Sequence, residues 1–275
     1  MPLKPIPRPD APRDQAHGLR QMFAATAEAV FLPLVHNPHV AFGGVVMERL
    51  CSALGERGLN TLVVDAADTA SPPHELAPVD LAACVEPLSD QVSFLAARGL
   101  AMHYLDARAT TAGFLRALTE ASPQANVVMV HAGAADLRRM FTGRTPRPVL
   151  LVGAQSASLT AAYAAMKILS QRLGALTYDV VIAADVGPKR ARAISDRLSD
   201  CADHFLGAAV GLTAVVDPAA APRAPVNDDL LGLVAAQLRR RDEPAEPAGP
   251  GFGLPGPALA PALASSRAAS RGRPF

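Results

Sequence analysis

Residues 29–68 read AVFLPLVHNPHVAFGGVVMERLCSALGERGLNTLVVDAAD, and the fold is decided there. Residues 29–35 are a short apolar run bounded by polar and turn residues, the pattern of a parallel strand covered on both faces. Residues 36–42 read as a loop. Residues 43–57 carry Val46, Leu50, Ala53 and Leu54 at helical spacing, and Gly58 follows as a left-handed C-cap. Residues 62–64 are a second buried strand, ending in Asp65. A strand–loop–helix–strand unit of this size predicts a right-handed βαβ crossover. It therefore predicts an α/β fold with a doubly wound, mostly parallel sheet.

The first loop of such a unit often cradles phosphate on backbone N–H groups at a helix N-terminus. Here that loop is HNPHVAFGG, with no lysine to neutralise phosphate and no Ser or Thr where magnesium would be held. Pro38 removes one donor, and Phe42 is bulky where backbone should approach a ligand. The architecture predicts a nucleotide-binding protein; the loop does not.

Composition supports one domain flanked by tails. Five prolines fall in the first twelve of 275 residues, and a second dense run follows Asp217. Between them, residues 27–217 are rich in Ala, Val and Leu and long enough to bury a sizeable core. A net charge of +1 gives no mandate for nucleic acid, and the absence of Trp argues against a stacking platform for single strands. Cys51, Cys84 and Cys201 are widely spaced and form no CxxC pair, as expected of free thiols in a reducing cytoplasm. The N-terminus has no apolar stretch of the signal-peptide kind, and no apolar run approaches the ~20 residues that span a bilayer.

Along the chain, residues 1–13 read as a disordered leader by composition. Asp14 is placed to N-cap a short helix whose Leu19, Met22 and Phe23 form an apolar stripe. Such a segment on a tether either docks in a partner's groove or packs back on its own domain. Residues 70–87 are expected to be irregular. Helical periodicity through Val92, Leu95 and Ala96, with Ser89 as N-cap, predicts a helix over residues 89–98, then a strand over 100–105. Helices follow at 110–120, 136–141, 158–173 and 189–202, with strands at 126–130, 148–152, 178–183 and 213–216. His131 stands at the end of the first of these strands. Residues 228–241 form a last amphipathic helix through Leu230, Val234 and Leu238, closed by three arginines, which either docks on the domain or lies on an anionic membrane. Residues 242–275 are rich in Pro, Ala, Gly and Ser and read as a disordered tail.

Two patches resemble one family. The unit from Gly43 to Asp65, together with VLLVGAQSASLTAAYAAMKIL at 149–169, is similar to the MinD/ParA class of deviant P-loop ATPases. The matching residues of the second patch are Ser158, Leu159, Thr160, Ala162, Tyr163 and Lys167. The stretch DHFLGAAVGLTAVVDP at 203–218 looks like that class's closing strand. Asp14-Gln15-Ala16 with Gly18-Leu19-Arg20 resembles the activating motif of one branch, the flagellar-number regulators FlhG (FleN, YlxH). The resemblance spans residues 14–217. It implies an ATP- and Mg-dependent, membrane-associating switch near the flagellar pole, whose N-terminal motif stimulates a signal-recognition-type GTPase, FlhF. Flagellar switch-complex proteins and a flagellar transcriptional activator are further partners it implies; nucleic acid is not expected.

The departures from that family lie where ATP would bind. The P-loop lysine position falls on Gly43, the magnesium-binding threonine on Gly44, and the signature lysine on Pro38. The aspartate ending the family's fourth strand falls on His131. No Lys or Arg lies between Phe31 and Arg49, a result that survives any slip of register. The degenerate nucleotide-binding set is thus Asn37, Pro38, Gly43, Gly44 and Asp65. The partner-binding set is Asp14, Gln15, Gly18, Leu19, Arg20 and Phe23.

If the first and fourth of the family's strands are neighbours, His36 and His131 meet at the carboxyl edge, with His39 and Asp65 close by. Three histidines and a carboxylate are zinc-type donors, but Pro38 between His36 and His39 imposes no regular ligand spacing, and no metal is expected. No nucleophile elbow is present, and Ser158 and Thr160 at the start of a helix read as capping residues. The expectation is a contact-working pseudo-ATPase that regulates flagellar number. Two alternatives stay open: an ATPase with a rearranged site, and a scaffold that pairs with an intact paralogue.

Overall fold

The computed structural model describes residues 29–221 and 224–239. Strand β1, Val30–Val35, leads through a loop into helix α1, Gly43–Gly55, and then β2, Thr61–Asp65. Gly58 has φ +70° in the turn between them, where a side chain would be strained. A 3₁₀ turn, Ala82–Cys84, precedes the two-residue β3, Glu86–Pro87, and β4, Val92–Ala96. A second 3₁₀ segment, Leu100–Tyr104, leads to α2, Ala112–Ala121, and β5, Val127–Ala132. The rest alternates: α3 Ala134–Met140, β6 Val149–Val152, α4 Ser156–Leu173, β7 Thr177–Ala183, α5 Pro188–Leu206, β8 Ala209–Val216 and α6 Asp228–Arg239.

The sheet runs β3-β4-β2-β5-β1-β6-β7-β8, parallel except for β3. Chain order moves outward one way from β1 through β2, then the other way from β6. The carboxyl ends of β1 and its neighbours are therefore the topological switch point, where open α/β sheets place ligands. Helices α2 to α5 bury Phe114, Leu118, Leu137, Met166 and Leu198 against one face. Helices α1 and α6 bury Leu50, Leu54, Leu230, Leu233 and Val234 against the other. The apolar side of α6 is thus used within the domain, the docking alternative of the sequence reading. No helix among the described residues is long and apolar enough to cross a membrane.

Two expectations are corrected. Residues 89–98 are not a helix: Val92–Ala96 is a strand, and it pairs in register with Thr61–Asp65. Val92 and Phe94 pack on one core while Leu95 packs on the other, so the stretch is apolar on both faces and mimics helical spacing. Ser89 Oγ accepts the Val92 N–H (3.1 Å), a local bond that serves a turn as readily as an N-cap. Residues 100–105 are correspondingly not a strand. Ladder pairing ends where the Ala97 N–H meets the Asp65 carbonyl, and Gly99 at φ +73° turns the chain into a 3₁₀ segment.

Candidate functional site

Three parallel strands deliver three polar side chains to one place. Asp65 ends β2, His131 lies opposite it in the β2–β5 register, and Leu34 pairs with His131 in the β1–β5 register. His36 follows two residues later, with its N–H on the Ala132 carbonyl at 2.9 Å. A strand's period of two puts Leu34 and His36 on the same side, so His36 meets His131.

The three form a chain. His131 Nδ1 lies 2.8 Å from Asp65 Oδ1, and His131 Nε2 lies 3.3 Å from His36 Nδ1. A carboxylate only accepts, so His131 donates from Nδ1 and, when neutral, accepts on Nε2. His36 then donates from Nδ1 and keeps its Nε2 lone pair for other partners. The imidazoles meet edge to face, with centroids 5.1 Å apart. His131 is buried and His36 half-buried. Burial, and next the neighbouring His131, hold the His36 pKa below the ordinary histidine value, against the opposing pull of Asp65 and Asp68.

Above this relay lies the loop. The Asn37 side chain is buried: Nδ2 lies 2.9 Å from the Leu151 carbonyl, 3.0 Å from the Ser158 carbonyl and 2.9 Å from Ser158 Oγ. Its Oδ1 accepts the His39 N–H at 3.0 Å. Ser158 Oγ also accepts the Gly153 N–H at 2.7 Å. The Asn37 amide and Ser158 hydroxyl therefore clamp the loop to β6 and to the first turn of α4. That corrects the capping role expected of Ser158, since no side chain caps α4. Thr160 bonds the Ser156 carbonyl within its own helix.

Pro38 and His39 sit exposed in a turn, and Phe42 is 57% exposed just before α1. Gly43 and Gly44 open α1, whose start carries no side-chain cap and no acidic residue. A Cβ on Gly43 would meet His131 Cε1 and Leu151 Cδ1 at 3.9 Å, and one on Gly44 would meet nothing within 4 Å. The position matched to a P-loop lysine thus rests on an imidazole, with free backbone donors beside it but no fixed positive charge. Among the described residues, no group of three or more His, Cys, Asp or Glu is arranged to hold a metal ion. The relay binds its own members to one another instead. Asp14, Gln15, Gly18, Leu19, Arg20 and Phe23 lie outside the described residues.

A second polar cluster went unread in the sequence. Asp179, wholly buried on β7, pairs with Arg147, accepts the Leu212 N–H at 2.7 Å and accepts from Gln237 Nε2 on α6 at 2.7 Å. Gln237 Nε2 also lies 3.2 Å from the Arg147 carbonyl. A Cβ on Gly211 would fall 1.8 Å from Arg147 Nη2, so the guanidinium occupies the space that glycine leaves. A charged residue inside the apolar strand TYDVVIA was the available signal.

No family model and no curated protein matches the chain. Solved structures do share its fold. The MinD cell division protein of Aquifex aeolicus aligns over 76% of this chain and 97% of its own, with TM-score 0.53 and 10% identity. Cobyrinic acid a,c-diamide synthase from Mycobacterium smegmatis aligns over 77% and 94%, with TM-score 0.53 and 17% identity. An ATP complex of Cyanothece McdA aligns over 77% and 97%, with TM-score 0.53 and 13% identity. The fold is that of MinD/ParA-type P-loop ATPases.

Proposed function

We infer that this chain is a regulator of flagellar number and placement of the FlhG type. On this reading it works by contact rather than by ATP turnover. Its effector is the Asp14-Gln15-Ala16-x-Gly18-Leu19-Arg20 motif, and its partner a signal-recognition-type flagellar GTPase. Gln15 and Arg20 supply polar contacts to that GTPase, while Leu19 and Phe23 anchor the segment. The observation that carries the loss of ATP turnover is the loop over His131. A triphosphate held there would have backbone donors and no lysine, whereas charge-assisted bonds do most of the holding in phosphoryl-transfer sites. The test is stimulation of the GTPase by the full chain and by its Gln15→Ala, Arg20→Ala double variant. Stimulation present in the first and abolished in the second, at unchanged melting temperature, is the expected result; equal stimulation by both rejects the role.

Two observations favour a second reading, ATP binding at a rearranged site. The start of α1 is uncapped and open above Gly44, and a fold neighbour is described with bound ADP and magnesium. Nucleotide-dependent melting separates the two readings.

A further inference from the structure

The carboxyl end of α5 is an unusual surface. Asp200, Cys201, Asp203, His204 and Phe205 line an open depression around its last two turns. Phe205 is 66% exposed, although its ring is set edge-on to Tyr163 of α4, centroids 6.4 Å apart, and to His204 at 4.6 Å. Leu176, in the neighbouring α4–β7 connection, is exposed as well. Neither Asp200 nor Asp203 has an ion-pair partner among the described residues. The patch is acidic with an aromatic centre.

We propose that this patch receives the chain's own residues 14–23, so that the activating motif is held against α5 until a partner takes it. The inference rests on the reading of that motif as the effector. Chemistry fits first: Leu19, Met22 and Phe23 match Phe205 and Leu176, and Arg20 matches Asp200 and Asp203. Reach fits too. Phe23 is seven residues before Val30, the first residue of β1 at the amino edge of the sheet, and seven extended residues span roughly 24 Å. In the order β1-β6-β7-β8, the amino end of β8 lies three strand spacings away, about 14 Å, and α5 ends just before it. Phe31 and α5 also belong to the same face of the sheet. Docking buries the guanidinium of Arg20 against carboxylates and so removes it from the GTPase-binding set.

Cys201 provides the test, because it is exposed in the patch, whereas Cys51 is buried and Cys84 half-buried. The full chain carrying Met22→Cys is mildly oxidised without any GTPase present, and the bond is mapped by peptide mass. The expected product is an intramolecular disulfide between the introduced thiol and Cys201, which requires Cα atoms within about 7 Å. It should form about tenfold more slowly when Asp200→Lys, Asp203→Lys and Phe205→Ser remove the patch, through lost effective concentration. A bond to Cys84, a bond between two copies, no bond, or a rate indifferent to the patch overturns the proposal. None of these outcomes bears on the GTPase assay. A synthetic peptide of residues 1–25 that stimulates the GTPase upholds the effector reading even if docking fails, and a disulfide that forms while the peptide is inert upholds docking alone.

Discussion

The two edges of the sheet each hold a carboxylate in hydrogen bonds, and they treat it in opposite ways. At the amino side, Asp179 is fully enclosed: Arg147, the Leu212 N–H and Gln237 together use both its oxygens. At the carboxyl side, Asp65 holds His131, which holds His36, and the chain ends in a half-buried imidazole with one nitrogen left over. The first cluster is closed on itself and ties the connection before β6 to β7, β8 and α6. The second runs from a half-buried carboxylate through a buried imidazole to an accessible base, at the edge where open α/β sheets place ligands. A polar wire thus runs along the ligand edge beneath a loop that carries no lysine.

The comparison breaks most sharply at Asp179. Asp179→Ala leaves the half-buried Arg147 without its counter-ion and strips Gln237 and the Leu212 N–H of an acceptor. Removing one partner of a buried pair costs about 3–5 kcal/mol. In a domain this size that lowers the melting temperature by roughly 6–20 °C. A thermal melt decides it: a shift under about two degrees, well below that range, means the cluster is not the clamp described here.

These clusters also mark how far the sequence could be read. The βαβ unit was legible because its apolar runs, Gly58 and loop obey strong local rules. The meeting of His36 with His131 was legible only through strand order, which the family resemblance supplied. The strand at Val92–Ala96 was hidden because burial on both faces erases the alternation that distinguishes strand from helix. Arg147 and Gln237 stand 32 and 58 residues from Asp179, and no periodicity links them. Asp179 inside an apolar strand did announce a buried charge; its partners belong to tertiary structure. The Asn37–Ser158 clamp, 121 residues apart in the chain, is illegible for the same reason.

At the open edge the effects are smaller and depend on pH. His131→Leu leaves Asp65 with the Ala67 N–H at 3.3 Å and takes the acceptor from His36. Unpairing such groups costs about 1–3 kcal/mol. His36 sets the sign of the pH dependence. Its folded pKa is depressed below 6.5, so the unfolded chain binds the extra proton first as pH falls. This contribution to stability is complete above pH 6.5 and is lost as pH drops below it. Melts from about pH 5 to 8 should therefore fall more steeply at the acid end for the wild type than for His36→Gln. Parallel curves would mean that His36 is not held neutral by its surroundings.

The smallest effect is the most informative about the loop. The wild-type chain should melt at the same temperature with and without millimolar Mg-ATP, because a ligand stabilises only as far as it is bound. A flat result from one protein is ambiguous between a lost site and an insensitive assay, so a restored site is needed beside it. Geometry permits one: Pro38 is exposed, a Cβ at Gly43 has 3.9 Å to its nearest neighbours, and Gly44 has open space. Pro38→Lys, Gly43→Lys and Gly44→Thr together supply the two cations and the hydroxyl that the loop lacks, on a backbone already wound into a helix start. If nucleotide at about 100 times its Kd then adds about 2.7 kcal/mol to the triple variant and nothing to the wild type, only the side chains were missing. Stabilisation of the wild type would show instead that backbone donors over the His131 relay suffice. The pseudo-ATPase reading would then fall, and residues 36–44 would be the nucleotide site after all.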